Sequence, residues 1–118
     1  MRADPPGGRA ALVDATSAAV RRARADGTRL AVAIVESDRG AETIARDVAS
    51  LAGLPTYAIG PRSLALVLPG SGRADAFGVL ARIEVACGAT GRAVELEPGE
   101  DAVELLARLL AAGEQVSG

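Results

Sequence analysis

The sequence contains no histidine, lysine, asparagine or tryptophan, and only one cysteine, one phenylalanine and one tyrosine. Each gap removes a class of chemistry. Without His there is no imidazole general base and no imidazole metal ligand. With Cys87 alone, neither an internal disulfide nor a multi-cysteine zinc site can form. Set in an apolar stretch, that thiol reads as a small core residue. The near absence of aromatics denies the chain a base-stacking platform, and a formal net charge of −2 denies it a basic phosphate footprint. No nucleic-acid partner is expected. No apolar run approaches the roughly 20 residues needed to cross a bilayer. The opening Met1 to Pro6 offers no apolar stretch for a secretion signal. The expectation is a cytoplasmic chain with no membrane insertion.

What is present is small and aliphatic. Hydrophobic residues make up 49% of the 118, and most are Ala, Val and Leu. A single domain of this size buries roughly two-thirds of its unfolded surface, so a core of thin aliphatic layers is expected, with loose ends at about 1–8 and 114–118. The breaker cluster Asp4-Pro5-Pro6-Gly7-Gly8 predicts a helix from about Arg9, carried by Leu12, Val13, Thr16, Ala19, Val20 and Ala23 and ended by Gly27. Leu30 to Val35 is an unbroken apolar run that suits a strand buried on both faces. Ala41, Ile44, Ala45, Val48, Leu51 and Ala52 follow helical spacing and stop at Gly53 and Pro55.

A short strand, Thr56 to Ile59, then meets the turn Gly60-Pro61-Arg62-Ser63 and a second buried strand, Leu64 to Leu68. Pro69-Gly70-Ser71-Gly72 breaks the chain before a helix from about Arg73 to Ala86, with Ala76, Leu80 and Ile83 inward and Ser71 as its expected cap. Cys87 to Leu96 reads as a strand. The last helix, about Glu100 to Ala112, is predicted to bury Val103, Leu106, Leu109 and Leu110 and to stop at Gly113. The order is that of an α/β (α+β) ferredoxin-like or palm-type βαβ–βαβ sheet with added helices.

That order, with its local residues, resembles the GGDEF (diguanylate cyclase) family. Asp4 and Arg9 stand at the ends of the family's opening Asp-x-Leu-Thr-Gly-Leu-x-Asn-Arg motif, whose middle is replaced by Pro5-Pro6-Gly7-Gly8. The turn Arg24-Ala25-Asp26-Gly27 leads to the strand Leu30 to Val35, followed by the acidic pair Glu36-x-Asp38. The signature hairpin corresponds to Gly60, Pro61, Arg62, Ser63 and Leu64, and its strand closes in Leu68-Pro69-Gly70. Glu97-Pro98-Gly99-Glu100-Asp101-Ala102 matches the turn before the last helix.

The departures carry the functional expectation. The resemblance implies two carboxylates that hold Mg²⁺ beside a nucleoside triphosphate, one at the end of the first strand and one in the hairpin. Magnesium requires hard anionic oxygen ligands, and two-metal phosphoryl transfer requires charge on both sides of the phosphate. Glu36 and Asp38 keep acids at the strand end. In the hairpin the catalytic Glu position is Ser63 and the acid before it is Arg62. Pro61 replaces a glycine, locking φ near −65°.

The guanine-recognition segment between the first strand and the next helix has no room. The inhibitory Arg-x-x-Asp motif falls on Leu51 to Leu54, which leaves no charged pair for a cyclic dinucleotide. The resemblance therefore implies a degenerate, catalytically inactive GGDEF-like domain with no catalytic residue and no resident cofactor. Its expected role is a regulatory or protein-interaction module in bacterial signalling, paired with itself or with another protein.

Several readings stay open on the residues alone. Glu36 and Asp38 either cap the next helix or solvate a strand exit, or they keep a residual metal or nucleotide contact. The alternative function is a nucleotide-binding or residual nucleotidyl-transfer domain using Glu36 and Asp38 with Mg²⁺. Arg62-Ser63 is either a solvated turn or an anion contact. Asp101 and Glu104 complement the dipole of the last helix.

Overall fold

A computed structural model describes the backbone of residues 7–116 and the side chains of residues 7–111. Of the loose ends expected at about 1–8 and 114–118, residues 1–6 and 117–118 lie outside the described residues, while Gly7 bridges to Tyr57 and residues 114–116 belong to the last helix. Eight elements follow in order: α1 (Arg9–Asp26), β1 (Leu30–Glu36), α2 (Ala41–Ala52), β2 (Tyr57–Gly60), β3 (Ser63–Pro69), α3 (Arg73–Cys87), β4 (Thr90–Glu95) and α4 (Ala102–Val116).

The four strands form one antiparallel sheet in the order β2-β3-β1-β4. Since β1 and β3 are central and apolar throughout, they are buried on both faces, as their unbroken hydrophobic runs require. Period-two alternation then splits the core in two. Ala31, Ala33 and Val35 with Leu64, Leu66 and Leu68 pack under α2 and α3. Leu30, Val32 and Ile34 with Ala65 and Val67 pack under α1 and α4. The βαβ–βαβ sheet is thus covered on one side by its crossover helices and on the other by the first and last helices.

Several boundaries differ from the expectations. Ser71 does not cap α3. Gly72 occupies the N-cap, its N–H donating to Asp75 Oδ2 at 3.1 Å, and the Arg73 N–H donates to Glu95 Oε1 at 2.8 Å. Cys87 ends α3 rather than starting a strand, because Gly88 at φ +69° supplies the left-handed cap and β4 begins two residues later, at Thr90. The thiol is buried. In α4 the inward residues are Ala102, Leu105, Leu106 and Leu109, while Val103 and Leu110 face solvent.

That register is set at the start of the helix. Asp101 and Glu104 form a reciprocal capping box, with the Glu104 N–H donating to Asp101 Oδ1 at 2.8 Å and the Asp101 N–H to Glu104 Oε1 at 3.1 Å. α4 also continues through Gly113 to Val116. One interior glycine costs about 1 kcal/mol against alanine, too little to stop a propagating helix. In α1, Val13 is exposed, and the buried stripe is Leu12, Thr16, Val20 and Ala23.

Candidate functional site

The sheet register builds the candidate site. Glu36 is the last residue of β1, and its two neighbours across the ladders are Ser63 on β3 and Thr90 on β4. The strand-end acid and the β2–β3 hairpin are therefore adjacent. Backbone hydrogen bonds fasten the β1–α2 turn to the hairpin. The Ser37 N–H donates to the Arg62 carbonyl at 3.0 Å, and the Ala41 N–H donates to the Pro61 carbonyl at 2.8 Å. Gly40 makes this approach at φ +97°, a conformation that favours glycine. Neither acid caps α2, whose N-cap is Gly40 without a side-chain bond.

The hairpin itself is held from the start of α1. Arg9 donates from Nε and Nη2 to the Ile59 carbonyl at 3.1 and 2.7 Å. Gly7 bridges β2 on its outer edge, its N–H donating to Thr56 O at 3.1 Å while its carbonyl accepts from Ala58 N–H at 2.6 Å.

The result is an open cleft of about 430 Å³ whose walls include Glu36, Ser37, Asp38, Arg62, Ser63 and Thr90. Its acids are not left to a ligand. Glu36 Oε1 accepts from Arg92 Nη1 at 3.0 Å, and Asp38 Oδ1 pairs with Arg62 Nη1 at 3.3 Å. Arg92 is the better held of the two cations, since its Nε also donates to the Leu109 carbonyl of α4 at 3.1 Å.

The Asp38–Arg62 pair lies in solvent and contributes little to stability. It still sets a guanidinium beside Asp38 on the wall of the cleft. Two carboxylates and two guanidiniums cancel in formal charge. Among the described residues, no three His, Cys, Asp or Glu side chains come together to hold a metal ion. A pair of Mg²⁺ ions asks for several anionic oxygens free of cations, so the donor set present does not fit that group.

Arg92 had no distinguishing mark in the sequence. It is one of 13 arginines, and its role follows from β4 lying antiparallel to β1, which sets Arg92 opposite Ile34 and two residues from the position opposite Glu36. A long cation between the small residues Gly91 and Ala93 of a short strand was the one signal available.

No protein-family model matches the sequence, and no curated protein matches it. Solved structures do match, in fold. The active GGEEF domain of a diguanylate cyclase from Vibrio cholerae aligns with a TM-score of 0.75 at 15% identity, over 90% of this chain and 87% of that one. The GGDEF domain of DgcB from Caulobacter crescentus, solved in complex with c-di-GMP, gives 0.74 at 19% identity over 100% of this chain and 94% of that one. The diguanylate cyclase SiaD from Pseudomonas aeruginosa, solved in complex with its activator SiaC, gives 0.68 at 19% identity over 94% of this chain and 55% of that one.

Proposed function

We propose that this chain, which has the fold of GGDEF domains, lacks diguanylate cyclase activity and works as a regulatory or protein-interaction module in bacterial signalling. The observation that carries the proposal is the pairing of both strand-end acids with arginines of the same chain, Glu36 with Arg92 and Asp38 with Arg62. A carboxylate committed to a guanidinium is a poorer metal ligand, and a cation beside a dication site opposes the dication directly. Ser63 at the hairpin brings a neutral oxygen where an anion is needed.

A protein partner is the role that remains for such a scaffold. In support, one protein of similar fold is solved with a protein activator bound. The likeness to GGDEF domains implies nothing further about this chain's ligands, because fold does not fix function.

The test is thermal unfolding of the purified chain with GTP, ATP and cyclic dinucleotides, with and without Mg²⁺, alongside a turnover assay. A ligand present at a hundred times its dissociation constant stabilises by about 2.7 kcal/mol, roughly ten degrees at this size. The expected result is no shift and no product. A Mg²⁺-dependent shift that disappears in Glu36→Ala would sink the proposal and establish the nucleotide-binding alternative at Glu36 and Asp38.

A further inference from the structure

Helix α3 carries small or apolar residues in two lines on opposite sides, with charges between them. Its inner stripe, Ala76, Leu80, Ile83 and Cys87, is buried. On the opposite side Ala74, Gly78, Ala81 and Val85 recur at the spacing that keeps residues in line along a helix. Val85 is 89% exposed. Beside this line Phe77 stands 43% exposed, with the Arg73 guanidinium 5.3 Å from its ring centroid. Among the described residues of one chain this outer line has no partner, whereas the inner stripe is covered by the sheet and α2.

Four charges flank the line. At about 100° per residue, Asp75 and Arg82 fall on one side of it and Arg73 and Glu84 on the other. Within each flank the two charges are opposite in sign, yet they stand too far apart along one helix to meet. Among the described residues none of the four side chains forms an ion pair.

We propose that the outer face of α3 is the interface of a homodimer, in which the α3 helices of two copies of this chain pack antiparallel about a two-fold axis. This rests on the reading of the chain as an interaction module and names its partner. An axis crossing between Gly78 and Ala81 sets Gly78 against Ala81 of the second copy, and Ala74 against Val85. The largest residue of the line then faces one of the smallest, so the gap between the helices stays even; parallel packing would stack Val85 on Val85 at one end only. Phe77 covers Ala81 of the second copy.

A two-fold axis perpendicular to the helices reverses their direction but keeps each flank on its own side. Asp75 therefore faces Arg82 of the second copy, and Arg73 faces Glu84. Each pair is offset by two residues, about 3 Å of rise, within side-chain reach. All four flanking charges meet their opposites in both copies, and the helix dipoles oppose.

One helix pair is a small interface, below about 1,200 Å² in total, so the dimer is expected to depend on concentration. Sedimentation velocity of the full chain from about 1 µM to about 1 mM should show the mass rising from 11.8 kDa towards twice that value. Two variants address the surface. Gly78→Gln adds a side chain that meets nothing within one copy, since a Cβ there has no neighbour within 4 Å, so it should fold normally and block association. Glu84→Arg should weaken the dimer roughly tenfold, and the exchange Arg73→Glu with Glu84→Arg should restore it. Both residues of that exchange also suit the helix dipole.

A monomer at every concentration overturns the dimer. A dimer indifferent to Gly78→Gln and Glu84→Arg lies on another face and overturns this surface while leaving the interaction-module reading intact. Weakening by Glu84→Arg that the exchange fails to restore overturns the antiparallel packing. The interaction-module reading itself falls on the nucleotide screen, whatever the mass measurement gives.

Discussion

Single residues decide whether the cleft is acidic. Glu36 and Asp38 have the chemistry of a metal site, and Arg92 and Arg62 cancel it. Because the Arg92 side chain is only 27% exposed while that of Glu36 is 49% exposed, the arginine is fixed more by packing and by the Leu109 carbonyl than by its ion pair. Arg92→Leu should lower stability by about 0.5–1.5 kcal/mol, through the lost side-chain hydrogen bond to the Leu109 carbonyl. A double-mutant cycle with Glu36→Gln should return a coupling below about 1 kcal/mol; a larger value from chemical denaturation would mean the pair itself holds the site.

A second pairing is sensitive to pH. Arg108 hydrogen bonds to Glu100, at 2.7 and 2.8 Å, hold that carboxyl below its ordinary value of 4.5, with burial opposing and the Glu97 N–H assisting. The folded state thus binds its proton less readily than the unfolded chain. The stabilisation is complete above about pH 4.5 and is lost as pH falls through the lower folded value. Arg108 is partly in solvent, which screens the effect. Tm should therefore favour the parent over Glu100→Gln near neutral pH, and the gap should close below about pH 4. A gap that does not change with pH would assign the difference to packing.

At the level of elements, close approach is what the small residues provide. Gly91 lies where β4 crosses under α3, and a Cβ there would stand 2.6 Å from the Ile34 carbonyl oxygen and 2.7 Å from Leu80 Cδ2. Neither a strand carbonyl nor a buried leucine can move freely in a packed interior. Gly91→Ala should cost about 1–3 kcal/mol and lower Tm by several degrees, whereas Gly78→Ala, in open space on a helix, should raise stability by about 1 kcal/mol. Equal melting temperatures for the two variants would remove the packing argument. Element type and order were legible from the Gly and Pro breakers between them and from the strong periods of α2 and α4. Boundaries moved where a cap decided them, as Asp75 and Glu95 displaced Ser71 at α3 and the Asp101–Glu104 box rotated α4.

The whole molecule is two cores on one sheet. Ile34 and Ile83 belong to different cores on opposite faces, so they share no packing partners. Ile34→Val and Ile83→Val should each cost about 0.5–1.5 kcal/mol, and the double variant should cost their sum to within about 0.5 kcal/mol. A clear excess over the sum would show that β1 and β3 transmit strain between the faces. With so few large side chains, neither core has a dominant anchor: the chain holds a single Phe and a single Tyr, and Phe77 is on the outside.

What the sequence determined alone was the element order, the doubly buried central strands and the Arg62-Ser63 pair at the hairpin turn. These are local matters of periodicity, breakers and residue identity, readable without knowing what lies opposite. Tertiary structure decided what each charge touches. Arg92 meets Glu36 from 56 residues away, Arg9 reaches Ile59 across 50, and α3 keeps an apolar side that no part of the described chain covers. Strand register and helix rotation place these groups, and both arise from packing between segments far apart in the chain, where sequence spacing carries no distance information.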